Sequence, residues 1–94
     1  MNYVYLLECS DGTLYAGWTT DLAKRVAVHN RGQGARYTRG RLPVHLVYWE
    51  ECISRSAALR REVQLKKLGR PDKQQLAVNF AASSVGNKDM ENSL

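Results

Sequence analysis

Arg25 and His29 stand four apart in a stretch whose apolar residues, Leu22, Ala23, Val26 and Ala27, recur with helical spacing. On such a helix the two are neighbours at the border of the apolar stripe, so they can reach one cleft. An arginine suits a phosphate or a developing oxyanion, and a histidine can carry a proton near neutral pH; cleavage of a phosphodiester wants both. A solvated helix edge would carry the same pair, so the spacing alone leaves both readings open. Glu62 falls near the middle of a second apolar arc drawn by Ala58, Leu59, Val63, Leu65 and Leu68. A carboxylate there needs a cation, which is an arginine partner, a metal ion or both. Tyr5 and Tyr15 complete the set, each in a β-rich segment where tyrosine is ordinarily core with its hydroxyl at the rim.

The elements that would position these groups follow in order. Tyr3 to Cys9 and Thr13 to Trp18 are rich in β-branched and aromatic residues and flank Ser10-Asp11-Gly12, which makes a β-hairpin. A two-residue turn would put the tyrosines on opposite faces, whereas a three-residue loop closed by Gly12 in the left-handed conformation sets Tyr5 opposite Gly17 and Leu7 opposite Tyr15. In that register the tyrosines share a face, and the glycine leaves a hollow beside the Tyr5 hydroxyl. Thr19, Thr20 or Asp21 caps a first helix over Leu22 to Asn30. Arg31 to Pro43 has no apolar period and is read as an exposed loop whose glycines let backbone approach a ligand. Val44 to Glu51 is expected as a third strand covered on both faces, and Ser54 or Ser56 as the cap of a second helix ending at Gly69. Pro71 opens a third helix running to about Ala81. The domain spans 1–82, and 83–94 is expected as a flexible tail.

The composition narrows the function. The chain has 94 residues, 44% hydrophobic, which supports one modest core and one domain. Its charge is +5, and between Leu22 and Trp49 there is no acidic residue while Lys24, Arg25, Arg31, Arg36, Arg39 and Arg41 all fall there. Five of those six are arginine, whose planar fork matches phosphate oxygens, so nucleic acid is favoured over a membrane surface. No apolar run reaches the roughly 20 residues of a membrane span, and the start has no signal-like core, so a cytoplasmic home is expected. Cys9 and Cys52 read as reduced thiols. With His29 and His45 they lack the close paired spacing of a structural zinc site.

Tyr3-Val4-Tyr5, Tyr15-Ala16-Gly17, Arg25, His29 and Glu62, taken in order, resemble the GIY-YIG nuclease domain, most closely its small single-domain bacterial members. The likeness runs from about Asn2 to Ala77 and includes the stretch from His29 to Gly40. It implies an α+β fold, a three-stranded antiparallel sheet flanked by three helices. By position, Tyr5 and Tyr15 would orient or deprotonate the attacking water, Arg25 would bind the scissile phosphate, and His29 would help orient the nucleophile or relay a proton. Glu62 would hold one divalent ion, magnesium or manganese, and Gly17 would keep the pocket open. Trp18 stands where some relatives have a lysine implicated in activating water.

The reading of residues and resemblance together is a metal-dependent endonuclease, DNA ahead of RNA, in DNA repair or processing, with Gly17, Arg31, Arg36, Tyr37, Arg39 and Arg41 toward the nucleic acid. With no second domain expected, specificity would be low or borrowed from a protein partner. The rivals are a non-catalytic nucleic-acid-binding module and an adaptor presenting Trp18 or Trp49.

Overall fold

In a computed structural model of the chain, backbone is described for residues 1–93 and side chains for residues 1–83. Strands β1 (Asn2–Glu8) and β2 (Leu14–Thr19) are followed by helices α1 (Leu22–Asn30) and α2 (Arg36–Arg39). Strand β3 (His45–Cys52) and helices α3 (Arg55–Lys67) and α4 (Arg70–Ser93) complete the order. The sheet is antiparallel with β1 central, in the order β2-β1-β3. The segment expected as a tail, 83–94, lies almost wholly outside the described side chains.

The hairpin loop decides the geometry of everything after it. Gly12 takes a φ of 81°, Cys9 N donates to Thr13 O at 2.8 Å, and Gly12 N donates to Cys9 O at 2.9 Å. This is the three-residue loop, and it sets Tyr5 opposite Gly17 and Leu7 opposite Tyr15. Asp11 holds it closed by accepting from Thr13 N and Thr13 Oγ1, bonds that draw its carboxyl below the usual range. Two cores result, one on each face of β1. Val4 and Leu6 pack with Ala16 and with Ala58 and Leu65 of α3, while Tyr5 and Leu7 pack with Cys9 and Val44 and with Leu22 and Val26 of α1.

Helix α1 starts where its cap requires: Asp21 is extended, and its carboxylate accepts from Lys24 N at 3.0 Å. It stops at a left-handed Gly32, φ 74°, with Gln33 N donating back to Val28 O at 3.1 Å. Only glycine takes that conformation cheaply, and it reverses the chain across the end of the helix. Asn30 then clasps the start of β3, accepting from Val44 N at 2.7 Å and donating to Val44 O at 3.1 Å.

Three expectations are corrected. The stretch from Arg31 to Pro43 is not wholly an exposed loop: it contains the helical turn α2, whose Thr38 is fully buried. One turn has room for a single inward residue, so it leaves no apolar period to read. Strand β3 is an edge strand, with His45, Leu46, Trp49 and Glu51 exposed, and is not covered on both faces. On α3, Leu59 and Val63 face solvent, and the inward line is Ala58, Glu62 and Leu65. The capping hydroxyl of Ser54, which accepts from Ala57 N at 3.0 Å, sets the rotation of that helix.

Candidate active site

The site is built around the Tyr5 hydroxyl. β1 delivers this side chain onto the face that α1 covers, and the ring is 1% exposed. Arg25 Nε donates to the hydroxyl at 3.4 Å, and His29 Nε2 lies 3.2 Å from it. On its other side His29 Nδ1 lies 2.8 Å from Thr38 Oγ1, and Thr38 Oγ1 donates to Ala35 O at 2.9 Å. Four side chains from β1, α1 and α2 therefore form one hydrogen-bonded line. His29 and Thr38 are both 0% exposed, so no bulk water competes for these bonds.

Two glycines make this packing possible. Gly17 faces Tyr5, and a Cβ there would overlap the phenol hydroxyl and ring. The expected hollow at Gly17 is thus absent: the missing side chain makes room for the Tyr5 ring, and Gly17 is itself buried. Gly34 plays the same part for the histidine, since a Cβ there would overlap the imidazole. The reversal at Gly32 carries the backbone of Gly34 over His29, so this close approach serves the protein's own ring.

Burial sets the electrostatics. It lowers the His29 pKa below the ordinary imidazole value, and the Arg25 charge lowers it further, so the ring is neutral at pH 7. Burial raises the Tyr5 pKa, while the hydrogen bond and charge of Arg25 pull it down; Tyr15 and Glu62 add to the rise. Lys66, whose Nζ lies 5.7 Å from the Tyr15 ring centroid, links the Glu62 carboxylate to the site. Glu62 is 17% exposed and pairs with Lys66 Nζ at 3.7 Å, so its cation is a lysine one turn on, not an arginine. Among the described residues no three His, Cys, Asp or Glu side chains cluster in a way that could hold a metal ion.

Tyr15 flanks the line. Its ring lies 5.5 Å from His29 and stacks on Tyr37 at 5.8 Å and 25°, with Lys66 Nζ 5.7 Å from its centroid. Arg25 opens onto a cleft of about 220 Å³ shared with Thr19, Thr20, Asp21, Lys24 and Val28. The fold therefore brings together Tyr5, Tyr15, Arg25, His29 and Glu62, with His29 fully buried.

The remaining residues divide. Arg31, Arg36 and Arg39 are exposed, and Tyr37 is 41% exposed. Arg41 is committed within the fold, donating to Asp11 Oδ2 at 3.0 Å and Tyr37 O at 2.7 Å with its guanidinium 4.1 Å over the Tyr37 ring. Sequence reasoning missed Thr38, Lys66 and the role of Gly34. Gly32 and Gly34 two apart at a helix end signalled a reversal, but nothing in the sequence signalled Thr38.

This fold and constellation define a class, and comparison agrees: a family model described as the GIY-YIG catalytic domain matches residues 1–75, and the chain belongs to that family. Among curated relatives it is similar to UPF0213 proteins. That of Haloquadratum walsbyi is 58% identical over 76 residues, 81% of this chain and 85% of the relative. That of Halobacterium salinarum is 55% identical over 81% of this chain and 99% of the relative. The solution NMR structure of the UPF0213 protein from Bacillus halodurans matches with 48% identity and a TM-score of 0.52, covering 83% of this chain and 84% of that one. The chain and that solved structure share one fold, which in this chain is a three-stranded antiparallel sheet with helices. No helix among the described residues is long and apolar enough to cross a membrane.

Proposed function

We propose that the protein is a metal-dependent endonuclease that hydrolyses a phosphodiester in one step, with DNA as the first candidate substrate and RNA the second. The observation that carries this reading is the line Arg25–Tyr5–His29, a cation, a phenol and a neutral base in contact at the edge of a cleft. Arg25 binds the scissile phosphate from the cleft, and its Nε keeps the Tyr5 hydroxyl in place. Water attacks phosphorus in line; as its oxygen bonds to phosphorus, the bond from phosphorus to the leaving oxygen breaks. The water's proton passes to the Tyr5 oxygen and the phenol's own proton to His29 Nε2, from which a proton returns through Tyr5 to solvent or the leaving oxygen. Tyr15 closes the flank and keeps the imidazole dry. The chemistry fits one divalent ion, magnesium or manganese, on Glu62, because a half-buried carboxylate in a loose pair can exchange its lysine for a metal whose other ligands are water and phosphate oxygens. Such an ion supplies stabilisation of charge on the leaving oxygen. Arg31, Arg36, Arg39 and the Tyr37 ring meet the flanking strand. A partner protein that adds specificity, a cytoplasmic location and a place in DNA repair or processing fit this reading.

The test is cleavage of labelled single-stranded, duplex and branched DNA and of RNA with magnesium, manganese or EDTA. Glu62→Ala is expected to abolish cleavage and leave binding nearly intact. The double change Arg36→Ala with Arg39→Ala is expected to weaken binding and flatten its dependence on salt by about two phosphate contacts, a change of roughly 1.8 in the log–log slope. Salt-sensitive binding without cleavage of any substrate would replace the enzyme by a binding module.

A further inference from the structure

We infer that Thr38 is a positioning residue that holds His29 in the Nδ1–H tautomer and so makes Nε2 the proton acceptor facing Tyr5. The direction of the line follows from its two ends. The Arg25 guanidinium can only donate, so the Tyr5 oxygen accepts from it. The Ala35 carbonyl can only accept, and it takes the Thr38 hydroxyl proton at 2.9 Å. Thr38 Oγ1 then has only lone pairs left for His29 Nδ1 at 2.8 Å, so Nδ1 carries the proton. Nε2 is left bare, and the Tyr5 hydroxyl donates to it at 3.2 Å. Every proton in the line has an acceptor.

The opposite order is worse by count. With Nε2 protonated, the Tyr5 oxygen would receive two donors, Arg25 Nε and His29 Nε2, and the phenol proton would have no acceptor within the line. The Ala35 carbonyl would still have Thr38 N at 3.1 Å, but the line would fall from four bonds to three. A phenolate would accept both donors, yet burial opposes that ion. The bare backbone of Gly34 lies against the imidazole in either case.

The consequence for the reaction rests on the hydrolytic reading above; the tautomer does not. On attack, the phenol proton moves to Nε2 and the imidazole becomes a cation with both nitrogens protonated, Nδ1 still donating to Thr38. Without the Thr38 hydroxyl, Nδ1 loses its acceptor, the ring gains by moving its proton to Nε2, and Tyr5 then meets a donor where it needs a base.

Nitrogen-15 NMR of the imidazole in the full chain, near pH 8, reads the tautomer directly. Wild type is expected to show protonated Nδ1 and bare Nε2. Thr38→Val keeps the shape but loses the hydroxyl, and should shift the population toward protonated Nε2 while kcat falls at least about 10-fold with KM unchanged. Thr38→Ser should restore both. A wild-type ring protonated at Nε2 would overturn the inference, as would an unmoved tautomer or an unmoved kcat in Thr38→Val. Should Thr38→Val fail to fold, the wild-type spectrum and Thr38→Ser decide it. Should no nucleic acid be cut, the hydrolytic reading fails while the NMR still decides the tautomer.

Discussion

Among the described residues two tyrosine networks, one buried and one partly buried, lie on opposite faces of the sheet and use the same phenol to opposite ends. Tyr5 faces α1 and meets a guanidinium and a neutral imidazole. Tyr48 lies on the other face, where its hydroxyl donates to Glu50, a carboxylate that also pairs with Arg61 at 3.0 Å. Burial and the neighbouring carboxylate push the Tyr48 pKa up to about 12, since a phenolate there would put two anions together. Tyr5 is also raised by burial, but Arg25 opposes the rise and, among the described residues, no carboxylate bonds to it. A phenol whose acceptor is an anion is fastened, and its network ties β3 to α3. A phenol whose acceptor is neutral, with a cation beside it, can pass its proton on.

The contrast is broken most directly at the two hydroxyls. Tyr5→Phe is expected to cut cleavage by about 10³-fold, the scale of a positioned acid–base group, while Tyr48→Phe leaves it unchanged; kcat on the best substrate checks both. A smaller effect sharpens the packing side. Gly34→Ala pushes a methyl into the His29 ring and should cost about 1–3 kcal/mol, measured by denaturant unfolding, whereas Gly40→Ala meets nothing within 4 Å and should be neutral. The smallest is in pH. The folded His29 pKa lies below the ordinary value of about 6.5, so between the two the unfolded chain binds the extra proton. Stability is therefore full above about pH 6.5 and lost as pH falls through the folded value, a slope that His29→Gln should flatten in thermal melts.

Much of this was readable from residues alone. The three-residue hairpin loop gave the register that brings Tyr5 and Tyr15 to one face, and Asp21 and Gly32 bracket α1 at the bounds the apolar spacing indicates. Glu62 was placed inward for partly wrong reasons, because two of the residues that drew its arc, Leu59 and Val63, face solvent. Hydrophobicity marks a helix face only where apolar residues are all buried, and a 13-residue helix on an edge of so small a core leaves some outside. The hollow at Gly17 failed because a glycine opposite a tyrosine has two explanations, space for a ligand or space for the tyrosine, and only geometry separates them. Thr38 was illegible because its role is one hydroxyl in one turn.

The line that begins at Arg25 closes at the Ala35 carbonyl, behind two side chains with no exposure. It is a cul-de-sac. A proton received from the cleft has no rear exit, so it waits on His29 and leaves by the door it entered, through Tyr5. The relay is then a reservoir and not a conduit. On the hydrolytic reading proposed above, each turnover would end with that proton returned to the leaving oxygen or to the water that replaces the product, and a second water could not be activated before then.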